Sequence, residues 1–438
     1  MTTRRDFIKS LASAATMAGI AGAPKFSFAQ ESGKTFIKVF MRGGADGLHL
    51  FPLVGDTMNA YRDYRPNLYI PPASGAEGGR AINLGSDMRQ MNPNLQALQE
   101  IWDSGNMMIA PATSFAGANR SHFDCQRWIG TGARNNLIDG YLNRYMQEED
   151  TYTHPLRGIV AGKTSLSTEI RGEIKVPTIQ DAGGYEIEDR HFCEGNGCAD
   201  NRLTEMMRSI SSHDVDLSAA EGNIKDNQAV MLESIADVAR AAELYTPASD
   251  LISYSNSSLG RGLRLCAQLI KAGIPLEVAA LDWNIGWDTH SNQIQLNGNQ
   301  PSSDPFTDPD KRYHSSMAQG ASDFLSFWRD MGADMNNIVV LVGSEFGRTK
   351  KENGNFGTDH GEGGAWFAFG GPTVGGFGPD VETIHDSVVS RNWVPTMASY
   401  RDIVGEIMVK HMGMDETPVS TIFPGHDFTD HSLFGGMA

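Results

Sequence analysis

The most constraining feature of this chain is a repeated pattern: helical spacing, then a glycine, then a short run that is apolar at nearly every position. Ser315 to Met331 has helical spacing, Gly332 follows, and Ile338-Val339-Val340-Leu341-Val342 is apolar throughout. Leu259 to Ala272 leads through Gly273 and Pro275 to the run from Leu276 to Leu281. Leu95 to Ser104 leads through Gly105 to Met107-Met108-Ile109-Ala110. Thr35 to Met41 and Ala365 to Phe369 are further strand candidates, and Asp226 to Tyr245 and Tyr400 to Met412 are further helices. A strand that is half exposed alternates polar with apolar; one covered on both faces does not. The pattern therefore predicts an α/β fold, a three-layer sandwich with a mostly parallel central sheet and inserted loops. In such sheets ligands bind just beyond the carboxyl ends of the strands, so any chemistry should follow directly after them.

Composition narrows the function classes. With 36 Lys+Arg against 53 Asp+Glu, the net charge of −17 excludes a general nucleic-acid binder, which needs a basic footprint. An apolar content of 40% excludes a disordered chain. No apolar run approaches the ~20 residues of a membrane span. Residues 1–29 read as an address: Arg4-Arg5-Asp6-Phe7, an apolar stretch from Leu11 to Ala23, and small residues at Ser27 and Ala29. This order predicts a twin-arginine signal, handled by the twin-arginine translocase, and a periplasmic or otherwise extracytoplasmic destination. The competing reading is an ordinary amphipathic first helix. Without the signal's four basic residues and one acidic residue, 32 basic face 52 acidic, a net of −20. Residues 30–438 read as one domain with insertions near 185–218 and 293–310, the latter a polar surface loop placed as a lid. Cys193 and Cys198 flank a Gly/Asn-rich stretch and suit a small disulfide. Cys125 and Cys266 lie in apolar helical patterns and read as core.

Polar clusters follow the strands as the fold demands. Arg42-Gly43-Gly44-Ala45-Asp46 comes after the first strand, and Ser121-His122-Phe123 after the second, where Ser121 is either a helix cap or a nucleophile. Trp287-Asp288-Thr289-His290 follows the third, although an Asp-x-His pair points to opposite faces if extended. Ser344-Glu345-Phe346-Gly347-Arg348 follows the fourth, and Asp359-His360-Gly361 precedes the last. Each alone reads equally well as a turn, a cap or an ion pair. Together, carboxylates with imidazoles suit a divalent metal, and a neighbouring arginine suits a phosphate or sulfate.

On these segments, and on Tyr400-Arg401-Asp402, the chain resembles the domain-of-unknown-function family 1501. That resemblance implies the alkaline phosphatase/sulfatase-like version of the α/β fold, and export. It implies metal ligands at Asp46, Asp288, His290, Glu345, Asp359 and His360, with zinc first and Mn, Ca or Mg as alternatives. It implies Ser121 as nucleophile, His122 beside it as orienting group or acid, and Arg348 or Arg42 as the clamp on a tetrahedral anion. The expected function is hydrolysis of a phosphate or sulfate ester, on a small anionic ester or a sulfated or phosphorylated glycan. The chain departs from the superfamily pattern at Asp288-x-His290, where Asp-x-x-x-His is usual, and at Ser344-Glu345, where Asp-His is usual. These departures leave one metal, two or none open. The competing class is a non-catalytic periplasmic protein that keeps the fold for binding or surface assembly, with seven Trp and eleven Tyr available for sugar stacking.

Overall fold

The structure, a computed structural model, describes residues 33–55, 58–74, 80–149, 154–185, 219–379 and 392–435. The signal reading over 1–29, the Cys193–Cys198 pair and nearly all of the 185–218 insertion lie outside the described residues. So do the side chains before Met231 in the helix Ala219–Leu244.

Among the described residues nine strands form one sheet: β1 (Thr35–Phe40), β2 (Met107–Ser114), β3 (Gly158–Ala161), β4 (Thr178–Ile179), β5 (Val278–Asp282), β6 (Ile338–Gly343), β7 (Gly364–Phe369), β8 (Gly376–Phe377) and β9 (Ala398–Ser399). Their order is β8-β2-β7-β6-β1-β5-β3-β4, with β9 also paired to β2. Every pairing is parallel except the two made by β7, which runs against β6 and β2. The predicted mostly parallel sheet is therefore present. Because β7 is reversed, its first residue lies at the edge where β1, β5 and β6 end, and this brings Asp359-His360 to the same edge as the other clusters.

The central strands are buried on both faces because their side chains alternate between two cores. Ile37 and Val39, Val340 and Val342, and Phe367 and Phe369 face one core; Phe36 and Phe40, Val339 and Leu341, and Trp366 and Ala368 face the other. The helices include α1 (Met58–Tyr64), α2 (His122–Thr131), α3 (Tyr141–Glu148), α4 (Ala219–Leu244), α5 (Ser258–Lys271), α6 (Arg312–Met331) and α7 (Tyr400–Glu406). On the first face lie Leu263 and Cys266 of α5 with Phe324 and Phe327 of α6; on the second lie Ile129 of α2, Leu142 of α3 and Ile403 of α7. Each such fully buried side chain contributes about 1.5–3 kcal/mol relative to leaving it in water. Cys125 and Cys266 are buried, as the apolar patterns predict.

The 293–310 segment is anchored by Gln293, Ile294 and Phe306, which are buried, with Ile294 and Phe306 in a small core with Leu68, Ile70 and Ala81, while Asn297 to Gln300 are exposed. One expectation is corrected. The helix from Tyr400 to Met412 is α only to Glu406 and widens into a π-turn over Ile407–His411. Among the described residues, no helix is long and apolar enough to cross a membrane.

Candidate functional site

The loop after β5 makes the centre of the site. Trp287 is buried, stands edge-on to Trp283 at 4.9 Å, and donates its indole N–H to the Trp283 carbonyl, which anchors the loop. Beyond it, Thr289 N bonds Trp287 O at 2.9 Å and His290 N bonds Asp288 O at 3.0 Å. Successive bonds across two residues curl the backbone, so Asp288 and His290 meet instead of pointing apart as they would in a strand. His290 Nε2 stands 3.1 Å from Asp288 Oδ1.

Two more imidazoles reach the same carboxylate oxygen. His360 Nε2 is 3.0 Å from Asp288 Oδ1 and 2.9 Å from His290 Nε2. His122, the first residue of α2, brings its Nε2 to 3.4 Å from Asp288 Oδ1. One ligand atom each from His122, Asp288 and His360 lie within 4.8 Å of one another, and His290 adjoins this trio through His360 and Asp288. The Phe346 ring packs against both His122 and His360, each at 4.9 Å between centroids.

What points these nitrogens inward is the other side of each ring. His122 Nδ1 meets Glu345 Oε1 at 2.7 Å, His290 Nδ1 meets Asp359 Oδ1 at 3.1 Å, and His360 Nδ1 meets the Arg120 carbonyl at 2.8 Å. An Nδ1–H that donates outward fixes the tautomer and leaves the Nε2 lone pair facing the centre. His122 Nε2 is buried and makes no hydrogen bond there. Partial burial opposes charge on Asp288, but the hydrogen bond and charge of Arg348, helped by His360 and His290, hold its carboxyl at about 2. The hydrogen bond to Glu345 raises His122 above the usual imidazole range, whereas desolvation lowers His360. A charged carboxylate among inward lone pairs is a donor set suited to a divalent cation.

Of the six expected ligands, Asp288, His290 and His360 are brought together, and Asp359 stands behind His290. Asp46 and Glu345 are not. The Asp46 carboxylate is buried and gripped by Arg65 at 2.7 and 3.0 Å and by Gln293 Nε2 at 2.8 Å, while it caps the helical turn Gly47–Leu50. Glu345 is buried one layer behind the cluster. It accepts from Gly43 N at 2.9 Å, from Gln126 Nε2 at 2.9 Å and from Ser344 Oγ at 2.9 Å as well as from His122. Its sheltered position depends on Gly43, whose φ is +128° and where a Cβ would stand 2.8 Å from Asp288 N.

The expected arginine clamps are corrected too. The Arg348 guanidinium is buried and spent on the carbonyls of Gly43, Gly44, Trp287 and Thr358 and on Asp288. It locks the loops together rather than facing a substrate. Arg42 is held by Asp282 at 3.0 Å and Glu169 at 3.7 Å. A further cation is Arg120, whose carbonyl holds His360 Nδ1 and which the sequence reading did not single out. It is exposed, its guanidinium lies 4.2 Å from the Trp393 ring centre, and it has no carboxylate partner among the described residues. Its φ of +65° is unusual for a residue with a side chain and is not legible in sequence. Ser121 is the N-cap of α2, accepting from Asp124 N at a long 3.5 Å, so its hydroxyl is only weakly engaged.

Among solved structures, the lipoteichoic acid synthase LtaP from Listeria monocytogenes is similar at 10% identity and a TM-score of 0.31, covering 95% of this chain and 78% of that one. The structure of Ps i-CgsB in complex with k-i-k-neocarrahexaose is similar at 9% identity and a TM-score of 0.33, covering 92% of this chain and 74% of that one. No curated protein matches significantly. One family profile matches residues 199–432, which include Asp288, His290, Glu345, Arg348, Asp359 and His360 and leave Arg42, Asp46, Ser121 and His122 outside. With more than half of its length matched, the chain belongs to the family described as protein of unknown function, DUF1501.

Proposed function

We propose that this protein is a metal-dependent hydrolase of phosphate or sulfate esters. The observation that carries the reading is the convergence of His122, Asp288 and His360, with His290 adjoining, each ring tethered through Nδ1 so that Nε2 faces inward. His122, Asp288 and His360 would hold the ion, His290 would supply a further nitrogen, and Glu345, Asp359 and Arg348 would orient the ligands. A divalent cation there would polarise an oxygen of a bound tetrahedral anion. Arg120 would take a further anionic oxygen at the mouth, in the bidentate manner that a guanidinium allows. Ser121, at the positive end of the ten-residue helix α2, is the nucleophile of this reading. Its hydroxyl oxygen bonds to phosphorus or sulfur, the ester oxygen leaves with a proton, and water then frees the anion. Export to the periplasm through the twin-arginine translocase belongs to the same proposal and rests on residues 1–29 of the sequence.

Ser121→Ala tests the nucleophile. It should lower kcat toward aryl phosphate or aryl sulfate esters by about 10³-fold or more, the scale of losing a covalent nucleophile while binding survives. Metal content should not change, and loss of the cap should cost about 1 kcal/mol of stability. Unchanged turnover in a metal-replete variant would remove Ser121 from the chemistry.

A further inference from the structure

A second feature lies on the other flank of the β5 loop. Trp283, Asn284 and Ile285 leave the sheet there and form one wall of a cavity of about 540 Å³, closed by the starts of α5 and α6. That volume is within the range of sites for small ligands, roughly 300–1,000 Å³. On a chain of net charge −17, no Asp or Glu among the described residues lines it, whereas Arg261 and Arg312 do.

Neither guanidinium is neutralised. Arg312 is exposed and has no side-chain partner among the described residues. Among the described residues Arg261 bonds to carbonyls alone, those of Asn256 and of Gly162, and its buried Nε has no partner there. Two long helices, of 14 and 20 residues, begin at this cavity, so the positive ends of both dipoles meet there. Ser257 caps α5, whereas α6 starts after Lys311 with no side-chain cap. Trp283 is 2% exposed and its indole N–H has no acceptor among the described residues; it lies against Gly320 on α6. The rest of the polar lining is hydroxyl and amide, with Asn256 and Gln319 at the rim.

We infer that this cavity binds an acidic saccharide: a sulfate or phosphate group set between Arg261, Arg312 and the two helix starts, on a sugar whose hydroxyls meet the amides and serines. The inference does not depend on the metal reading, because no residue of the metal cluster lines the cavity.

Calorimetric titration of the full chain with a short dextran sulfate oligosaccharide tests it, with unmodified dextran and sodium sulfate as comparison ligands. The sulfated oligosaccharide should bind and plain dextran should not. Arg312→Ala should weaken binding about tenfold or more, the cost of a charge-assisted hydrogen bond, and Arg312→Lys should recover part of it. The same ordering should hold after treatment with a chelator and in His360→Ala protein, which separates this result from the fate of the metal site. Arg312 is exposed and unpaired, so its loss should leave the melting temperature unchanged. Equal affinity of the Arg312→Ala variant, or equal binding of dextran and its sulfated form, would overturn the inference. Sodium sulfate binding as tightly as the oligosaccharide would overturn the saccharide part of it.

Discussion

Replacing His360 by alanine should strip the protein of divalent metal. The purified wild type should carry metal through gel filtration, and the variant should carry only traces by elemental analysis. His360 is the shared neighbour in the cluster: its Nε2 is 3.0 Å from Asp288 and 2.9 Å from His290. Changing a group that merely orients a ligand typically costs about 10–100-fold in metal affinity, so removing a ligand should exceed about 100-fold. Glu345→Gln is the graded counterpart. The carboxylate accepts from His122, Gly43 and Gln126, and an amide in its place is a neutral, weaker acceptor for the His122 Nδ1–H, even where its own N–H turns to Ser344 Oγ, whose single proton can go to the Met41 carbonyl at 2.6 Å. Metal affinity should fall by about 10–100-fold there. Retention of stoichiometric metal by His360→Ala would end the metal reading.

The pH dependence follows from the same tether. Glu345 raises the His122 value, so the metal-free protein keeps a proton on His122 above the ordinary imidazole range. In that form the pair adds stability below the unfolded value, and the contribution is lost as pH rises through the raised folded value. A metal must displace that proton. Affinity should therefore decline already as pH drops through the region just above the usual imidazole value, and Glu345→Gln should move the decline to lower pH.

The strands were legible because burial on both faces leaves a sequence signature that needs no partner information: Ile338–Gly343 and Gly364–Phe369 are apolar at almost every position. The four-residue β3 and the two-residue β4 carry too few positions to show any period, and the sheet alone recruits them. The direction of β7 was not readable either, since an apolar strand buried on both faces looks the same either way round. Within the site, Asp288, His290 and His360 could be proposed from residue type and placement after strands. The roles of Asp46 and Glu345 could not, because a carboxylate at a strand end reads the same whether it faces a cation or an arginine. What decides is Arg65, just past α1 and 19 positions from Asp46, and no local spacing links the two. Lys38 makes the same point: it sits in the middle of β1, fully buried, with Nζ 4.5 Å from the Trp366 ring centre. Burial lowers it to about 7. Nothing in Phe36-Ile37-Lys38-Val39-Phe40 distinguishes it from a lysine that reaches solvent.

Replacing Arg65 by methionine should destabilise the fold by about 3–5 kcal/mol at neutral pH, measured by urea unfolding, because it leaves Asp46 charged and buried without a cation. Arg65 and Asp46 are both essentially inaccessible, and the guanidinium also serves the carbonyls of Thr349 and Lys350 at 2.7 and 2.9 Å. In the wild type, burial works to raise the Asp46 value, but the charge and hydrogen bonds of Arg65 win and hold it below the usual carboxylate range. Its contribution is thus present above the unfolded carboxylate value, about 3.9, and lost as pH falls through the lowered folded value. In Arg65→Met the sign reverses. Without the guanidinium, burial dominates and the folded value lies above the unfolded one, so protonation relieves the variant as pH falls. The gap between wild type and variant should therefore narrow between pH 7 and pH 4. Asp46→Leu combined with Arg65→Met removes both charges and should recover part of the loss, though the two carbonyls remain without their donor. The pair also separates the two roles considered for Asp46. As an arginine partner, Asp46 makes the Arg65→Met defect indifferent to added zinc or chelator. As a metal ligand, Asp46 would be released by the same substitution to bind a cation, and zinc would restore the lost stability.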